Sequence, residues 1–99
     1  MARTVGVATI RLRNREFINE LRSSTPCTDC GQKYHFSMMQ FDHITPGTKR
    51  GTSKYGGVLW MGKQGYSIKN IQAEIDKCEV VCANCHQYRT WARHHKLIK

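Results

Sequence analysis

Two pairs of cysteines are the clearest chemistry-bearing groups in this sequence. Cys27 and Cys30 form one Cys-x-x-Cys pair, and Cys82 and Cys85 form the other. Zinc prefers four soft ligands in a tetrahedron, and two intervening residues let one turn direct both sulfurs at a single ion. We therefore predict one structural zinc ion per chain that joins the start of the domain to its end. The remaining cysteine, Cys78, is expected to be a packed thiol with no metal.

Asp42, His43 and His86 form the second candidate group. The Asp42-His43 pair follows an apolar segment, and His86 comes directly after the last cysteine. Together they offer a carboxylate, an imidazole that could act as a base near neutral pH, and a second imidazole that could bind a metal. Hydrolysis of a phosphodiester needs that set, since a water must lose a proton and a divalent cation must neutralise developing charge. Neighbouring strand residues face opposite ways, so Asp42 and His43 converge only where the strand ends or bulges, and Pro46-Gly47 favours an end.

Charge and composition narrow the class of partner. The chain has 99 residues, which suits one domain, and its 16 Lys and Arg against 7 acidic residues give a net charge of +9. Such a balance favours a polyanionic partner, above all nucleic acid. No apolar run is long enough to cross a membrane, and the N-terminal residues lack an apolar signal core. We therefore expect a cytoplasmic protein with no membrane partner, whose cysteines stay reduced.

The spacing of apolar residues predicts a helix, two strands and a second helix around these groups. Residues 9–22 are expected to form an amphipathic helix with a basic outer face. Strands are expected at 38–44 and 79–81, and the last helix is expected to begin near His86. On that helix, Tyr88 and Trp91 are expected to pack in the core.

A long basic segment separates the two predicted strands. Residues 45–66 hold six of the eight glycines, and residues 43–73 carry five Lys or Arg and no acid. We expect a functional loop with one short strand at 58–61, followed by a helix whose N-cap is Ser67. Phosphate contacts are expected from the basic residues of this loop and of the last helix, namely Lys49, Arg50, Lys54, Arg89 and Arg93.

The pattern as a whole resembles the HNH endonucleases, which have a ββα-metal fold and, in some members, a four-cysteine zinc site. The matching pieces are the first cysteine pair, the run FDHITP at 41–46 and the run KCEVVCANCH at 77–86. The resemblance covers about residues 27–93. One position departs from it: many members have an Asn nine residues before the last His, where this chain has Lys77.

The resemblance implies a role for each site residue. His43 corresponds to the general base that activates water, and Asp42 and His86 correspond to the ligands of one catalytic Mg²⁺ or Mn²⁺. The four paired cysteines correspond to the ligands of the structural zinc: Cys27, Cys30, Cys82 and Cys85.

The fold class implied is α+β, with a small zinc-stapled ββα-metal domain, an N-terminal helix and a long basic insertion between the strands. We expect a single HNH-like domain over 1–99. It would comprise an arm and helix at 1–26, a zinc-clamped core at 27–93 with its insertion at 45–78, and a basic tail at 94–99.

The function implied is a divalent-metal-dependent endonuclease that hydrolyses DNA with low sequence specificity or as a nickase. Such a protein would be of phage or bacterial type, act in the cytoplasm of a bacterial cell, and could serve a larger phage or nuclease assembly. Two alternatives stay open on the residues alone: a non-catalytic zinc-knuckle module that binds nucleic acid, and a module that docks on another protein.

Overall fold

A computed structural model describes residues 6–44 and 57–96 of the chain. Within these ranges it is a small α+β protein with four α-helices, a short 3₁₀ turn at Phe36–Met38 and a two-stranded antiparallel sheet. In chain order the elements are α1 (Val7–Ser24), β1 (Met39–His43), α2 (Val58–Lys63), α3 (Ile68–Ile75), β2 (Cys78–Cys82) and α4 (Ala83–His94). No helix in the described ranges is both long and apolar enough to cross a membrane.

The sheet pairs β1 with β2 along their whole length. Met39 lies opposite Cys82, and His43 lies opposite Cys78. The hydrogen bond from Ile44 N to Lys77 O, 2.9 Å long, extends the pairing by one residue. Both strands were predicted from the sequence, and the structure confirms them to within one residue at each end. Because side chains alternate along a strand, β1 presents different residues to α3 and to α4.

Helix α1 packs on α2 through a close contact. The predicted helix at 9–22 is confirmed and extends two residues further at each end. Asn14 is buried, and its side-chain amide donates to Gly62 O at 3.2 Å and to Tyr66 O at 3.0 Å. A Cβ at Gly62 would lie 2.8 Å from Cδ1 of Ile18, so a larger residue there would require the end of the Ile18 side chain to move.

The prediction of a strand at 58–61 is wrong, because these residues form helix α2. Val58, Met61 and Gly62 are the buried residues of this segment, whereas Leu59 is exposed. That spacing buries one face of a helix, while a strand would have placed Val58 and Trp60 together. The predicted loop at 45–66 is therefore wrong for 58–63, and its residues 45–56 lie outside the described ranges.

Helix α3 begins at Ile68, and Ser67 is its N-cap as predicted: the Ser67 side-chain oxygen accepts a hydrogen bond from Asn70 N at 3.2 Å. Its buried face carries Ile71 and Ile75, which pack with residues of α1 and α2. Glu74 lies on the same face and is also buried. An acidic side chain within an apolar face needs compensating partners, and Glu74 has them in His43 and Lys77.

Helix α4 begins at Ala83, three residues before the predicted start, with Cys82 as its N-cap. The earlier start follows from the second cysteine pair, whose two intervening residues form the first turn of the helix. A hydrophobic cluster at this end of the molecule is built around the cysteines and β-strand side chains Cys27, Met39, Val80, Val81 and Cys82.

Candidate functional site

Four cysteines from distant parts of the chain converge at one point. The sulfur atoms of Cys27, Cys30, Cys82 and Cys85 all lie within 4.8 Å of one another. The first two occupy a tight turn that Gly31 closes with a positive φ of 78° and a hydrogen bond from its N to Cys27 O. The other two come from the end of β2 and the first turn of α4. This cluster could hold a metal ion such as zinc.

The four cysteine sulfurs suit a zinc ion in their separation, and one of them also loses its proton readily. A tetrahedral zinc with bonds of about 2.3 Å places its sulfurs about 3.8 Å apart, and Cys30 Sγ lies 4.0 Å from Cys82 Sγ. Burial raises the pKa of Cys27, but hydrogen bonds from backbone N–H groups, including those of Cys30 and Cys82, outweigh it and lower the pKa to about 6. A hydrogen bond with Cys82 and burial raise the pKa of Cys85 to about 12. One thiolate is therefore favoured without a metal, and a bound cation would displace the remaining protons.

Cys78 lies apart from this cluster. Its thiol is partly buried and donates to Glu74 O at 3.4 Å. The expectation of a packed thiol therefore agrees with its surroundings.

Asp42 and His86 meet between β1 and α4. Asp42 Oδ1 lies 3.7 Å from His86 Nε2, and the carboxylate is almost fully buried. The other ring nitrogen of His86, Nδ1, is hydrogen-bonded to the side-chain oxygen of Gln40, two residues before Asp42 on the same face of β1. Because His86 follows Cys85 directly, the cysteine cluster fixes the backbone that carries this imidazole.

Two arginines of α4 also bind Asp42. Arg89 Nη1 and Arg93 Nη2 each lie 2.7 Å from Asp42 Oδ2. Burial raises the pKa of Asp42, but the hydrogen bonds from Arg93 and Arg89 outweigh it and hold the pKa below its ordinary value. Arg89 also contacts Asp29, which lies between the first two cysteines, at 2.7 Å. The carboxylate predicted to bind a metal and the two arginines predicted to bind phosphate thus form one ionised network.

His43 has a different neighbour. Its Nε2 lies 2.7 Å from Glu74 Oε2 on helix α3, whereas Asp42 contacts α4. His43 lines a cleft of about 190 Å³ together with Phe41 and Gly57. The structure therefore brings Asp42 and His86 together and places His43, the third predicted residue, against α3 on the other face of β1.

Sequence reasoning missed four polar partners of the predicted residues. Glu74 binds His43, Gln40 binds His86, and both Asp29 and Glu79 bind Arg89. For Glu74 a signal was present, because an acid between Ile71 and Ile75 breaks the apolar face of a predicted helix.

The outer face of α4 also differs from expectation. Tyr88 and Trp91, which were expected in the core, are 57% and 46% exposed, so that prediction is wrong. The buried face of this helix is occupied by Ala92 and by the polar contacts to β1. Of the five basic residues predicted to bind phosphate, Lys49, Arg50 and Lys54 lie outside the described ranges.

Comparison of the chain with protein-family profiles, with curated proteins and with solved structures found no match.

Proposed function

We propose that this protein is a divalent-metal-dependent endonuclease that hydrolyses DNA phosphodiester bonds and carries a structural zinc ion in its four-cysteine cluster. The observation that carries the proposal is the distance of 3.7 Å between Asp42 Oδ1 on β1 and His86 Nε2 on α4. The first turn of α4 carries Cys85, a member of the cysteine cluster. A carboxylate and an imidazole at this separation could hold one cation between them, and oxygen-rich sites with open positions are what Mg²⁺ and Mn²⁺ accept.

Each residue then has a defined task. Asp42 and His86 would hold the cation, which when bound stabilises negative charge on the phosphate and the leaving oxygen. His43 is assigned the role of base for the attacking water, a task suited to an imidazole near neutral pH. Because its side chain lies on the other face of β1 from Asp42 and His86, the scissile phosphate would have to reach it at the end of the strand. Arg89 and Arg93 bind the phosphate oxygens, because a guanidinium fork matches that geometry.

The ion pairs of Asp42 with Arg89 and Arg93 affect how DNA and a metal ion could bind at this carboxylate. Two guanidiniums now occupy the carboxylate that the cation would need. A phosphate group offers the same guanidiniums alternative acceptors of higher charge. We therefore infer that Arg89 and Arg93 exchange Asp42 for the DNA backbone as the substrate binds, and that metal and DNA bind cooperatively.

Binding to DNA should depend on the backbone more than on the bases. Contacts from lysine and arginine to phosphate carry affinity without sequence information and weaken steeply with salt. A domain of this size has little surface for reading base edges, so we expect low sequence specificity.

A plasmid-nicking assay tests the catalytic proposal. Supercoiled plasmid is incubated with the zinc-loaded protein and a series of Mg²⁺ and Mn²⁺ concentrations. His43→Ala should slow nicking by about 100-fold or more, which is the usual contribution of a general base. The matched control is His35→Ala, which alters an exposed histidine whose ring bonds only Ser37 among the described residues and should leave the rate unchanged. Equal rates for the wild type and His43→Ala, or cleavage independent of the added cation, would show that the assignment is wrong.

A second candidate function is a zinc-binding nucleic-acid module without catalysis. The structure offers one observation in its favour, namely that Asp42 and His43 are already engaged by Arg93 and Glu74 respectively. Salt-sensitive binding of duplex DNA with no cleavage at any cation concentration would favour this candidate. Absence of DNA binding would instead favour docking on an acidic protein.

A further inference from the structure

We propose that Glu74 is a positioning residue for His43, which fixes the imidazole with its proton on Nε2 and leaves Nδ1 as the atom that accepts the proton from water. This inference rests on the proposed function and names the residue that prepares its base. It assigns a role to the insertion between the strands, because Glu74 lies on α3 and His43 ends β1.

The contact itself is short and shielded. His43 Nε2 lies 2.7 Å from Glu74 Oε2, and the two side chains are 10% and 1% exposed. The ammonium of Lys77, 3.1 Å from the other oxygen of Glu74, favours the ionised acid, and an ionised carboxylate only accepts, so we assign Nε2 as the donor. Hydrogen bonds to an ionised acceptor are among the strongest in proteins, and this one selects a single tautomer of the neutral ring.

Glu74 is held in place by more than the histidine. Its other oxygen, Oε1, accepts from Lys77 Nζ at 3.1 Å, and the flanking Ile71 and Ile75 anchor the helix in the core. A buried carboxylate is costly unless it is paired and hydrogen-bonded, and an apolar residue at position 74 would continue the apolar face of α3. Such a local conflict between residue and surroundings is typical of functional positions.

Nδ1 is left available for chemistry. Within residues 6–44 and 57–96 the structure gives His43 Nδ1 no hydrogen-bond partner, and the ring lines the small cleft beside Gly57. In the proposed step an O–H bond of water breaks and its proton passes to Nδ1. The water oxygen forms the new bond to phosphorus, the bond from phosphorus to the leaving oxygen breaks, and that oxygen takes a proton from solvent.

Substitution of Glu74 tests the proposal with two readouts. Glu74→Leu suits the apolar face of α3 and removes the acceptor, whereas Glu74→Gln keeps a carbonyl oxygen that can still accept from Nε2. The control is Asp76→Asn, which alters an exposed acid just past the end of the same helix. We expect kcat to fall about 10- to 100-fold in the Leu variant with KM little changed, the range usual for partners that orient a catalytic group. Glu74→Gln should recover most of that loss, and Asp76→Asn should match the wild type.

The second readout is the ¹⁵N NMR spectrum of the His43 ring, which distinguishes the two tautomers and needs no substrate. The wild type should show a proton on Nε2, and Glu74→Leu should show a mixture of tautomers. An unchanged tautomer and kcat in that variant would overturn the proposal. Should Glu74→Leu lose zinc, Glu74→Asp, which shortens the acid by one carbon, is measured in the same way and decides.

The outcomes separate this inference from the proposed function. Wild-type protein that never cleaves DNA overturns the proposed function and the catalytic part of this inference together, while the NMR spectrum still decides whether Glu74 sets the tautomer. Wild-type protein that cleaves, with Glu74→Leu equally active, overturns the role of Glu74 alone.

Discussion

Loss of the metal from the cysteine cluster should unfold this protein rather than merely loosen one end of it. The perturbation we consider is Cys82→Ser, which removes one ligand at a buried position. Cys82 ends β2, caps α4 and belongs to the hydrophobic cluster that contains Cys27 and Met39, so its sulfur lies where the sheet, the last helix and the first cysteine turn meet.

The expected magnitude follows from the loop that a metal ion bound by the four cysteines would close. Cys30 and Cys82 are 52 positions apart in the chain. A cross-link over a loop of that length restricts the unfolded chain by about 4 kcal/mol on the chain-entropy estimate. Small domains have a total stability of about 5 to 15 kcal/mol, so this contribution alone is a large fraction of it. The loss should therefore place the variant at or below the threshold for folding at 37 °C.

The assay combines metal content with urea unfolding followed by circular dichroism. Wild-type protein should bind one zinc per chain and unfold cooperatively, and a strong chelator should remove that transition. The matched control is Cys78→Ser, because Cys78 is a thiol outside the cluster that a hydroxyl can replace as donor to Glu74 O. This variant should keep one zinc. A Cys82→Ser protein that lacks zinc but retains the wild-type urea midpoint would refute the reasoning.

Two further predictions concern buried polar contacts. Asn14→Ala should cost about 1 to 3 kcal/mol of unfolding free energy, because the two hydrogen bonds that join the buried Asn14 amide to Gly62 O and Tyr66 O are lost; a urea midpoint unchanged from the wild type would contradict this. Asp42→Asn should alter how stability depends on pH. The pKa of Asp42 is depressed in the folded state, so its contribution is complete above the ordinary carboxyl value of about 4 and is lost as the pH falls through the lower folded value. The wild type should therefore lose stability below pH 4 more steeply than Asp42→Asn, and parallel curves would argue against the ion-pair network.

The sheet and most helices could be predicted because their signals are local. The strands at 38–44 and 79–81 each follow from a short apolar run, and Ser67 carries a cap signal that needs only its own neighbours. Helix α2 could not be predicted in this way, because the run Val58–Met61 is apolar throughout and has no period. Its buried face, Val58, Met61 and Gly62, packs towards α1 and α3, and that contact is seen only in the tertiary structure.

For the candidate site too, the sequence predicted what depends on neighbouring residues and missed what depends on tertiary contacts. Proximity of His86 to the cysteine cluster follows from its position after Cys85, which is a local fact. The partners of the site residues are not local: Glu74 is 31 positions from His43, and Arg89 is 47 positions from Asp42. Whether a carboxylate meets a metal, an arginine or a histidine depends on which helix packs above it, and residue types alone do not fix that choice.

The cysteine cluster and the proposed reaction centre share backbone and side-chain contacts. These contacts determine which variants can test the chemistry. Asp29 lies between the first two cysteines and holds Arg89, while His86 follows the last cysteine. Loss of zinc should therefore displace groups on both sides of Asp42 without any cysteine taking part in the reaction. An inactive cysteine variant is thus uninformative about mechanism. Only variants at His43 and Glu74 that are shown to retain one zinc per chain separate catalysis from the folding of the site.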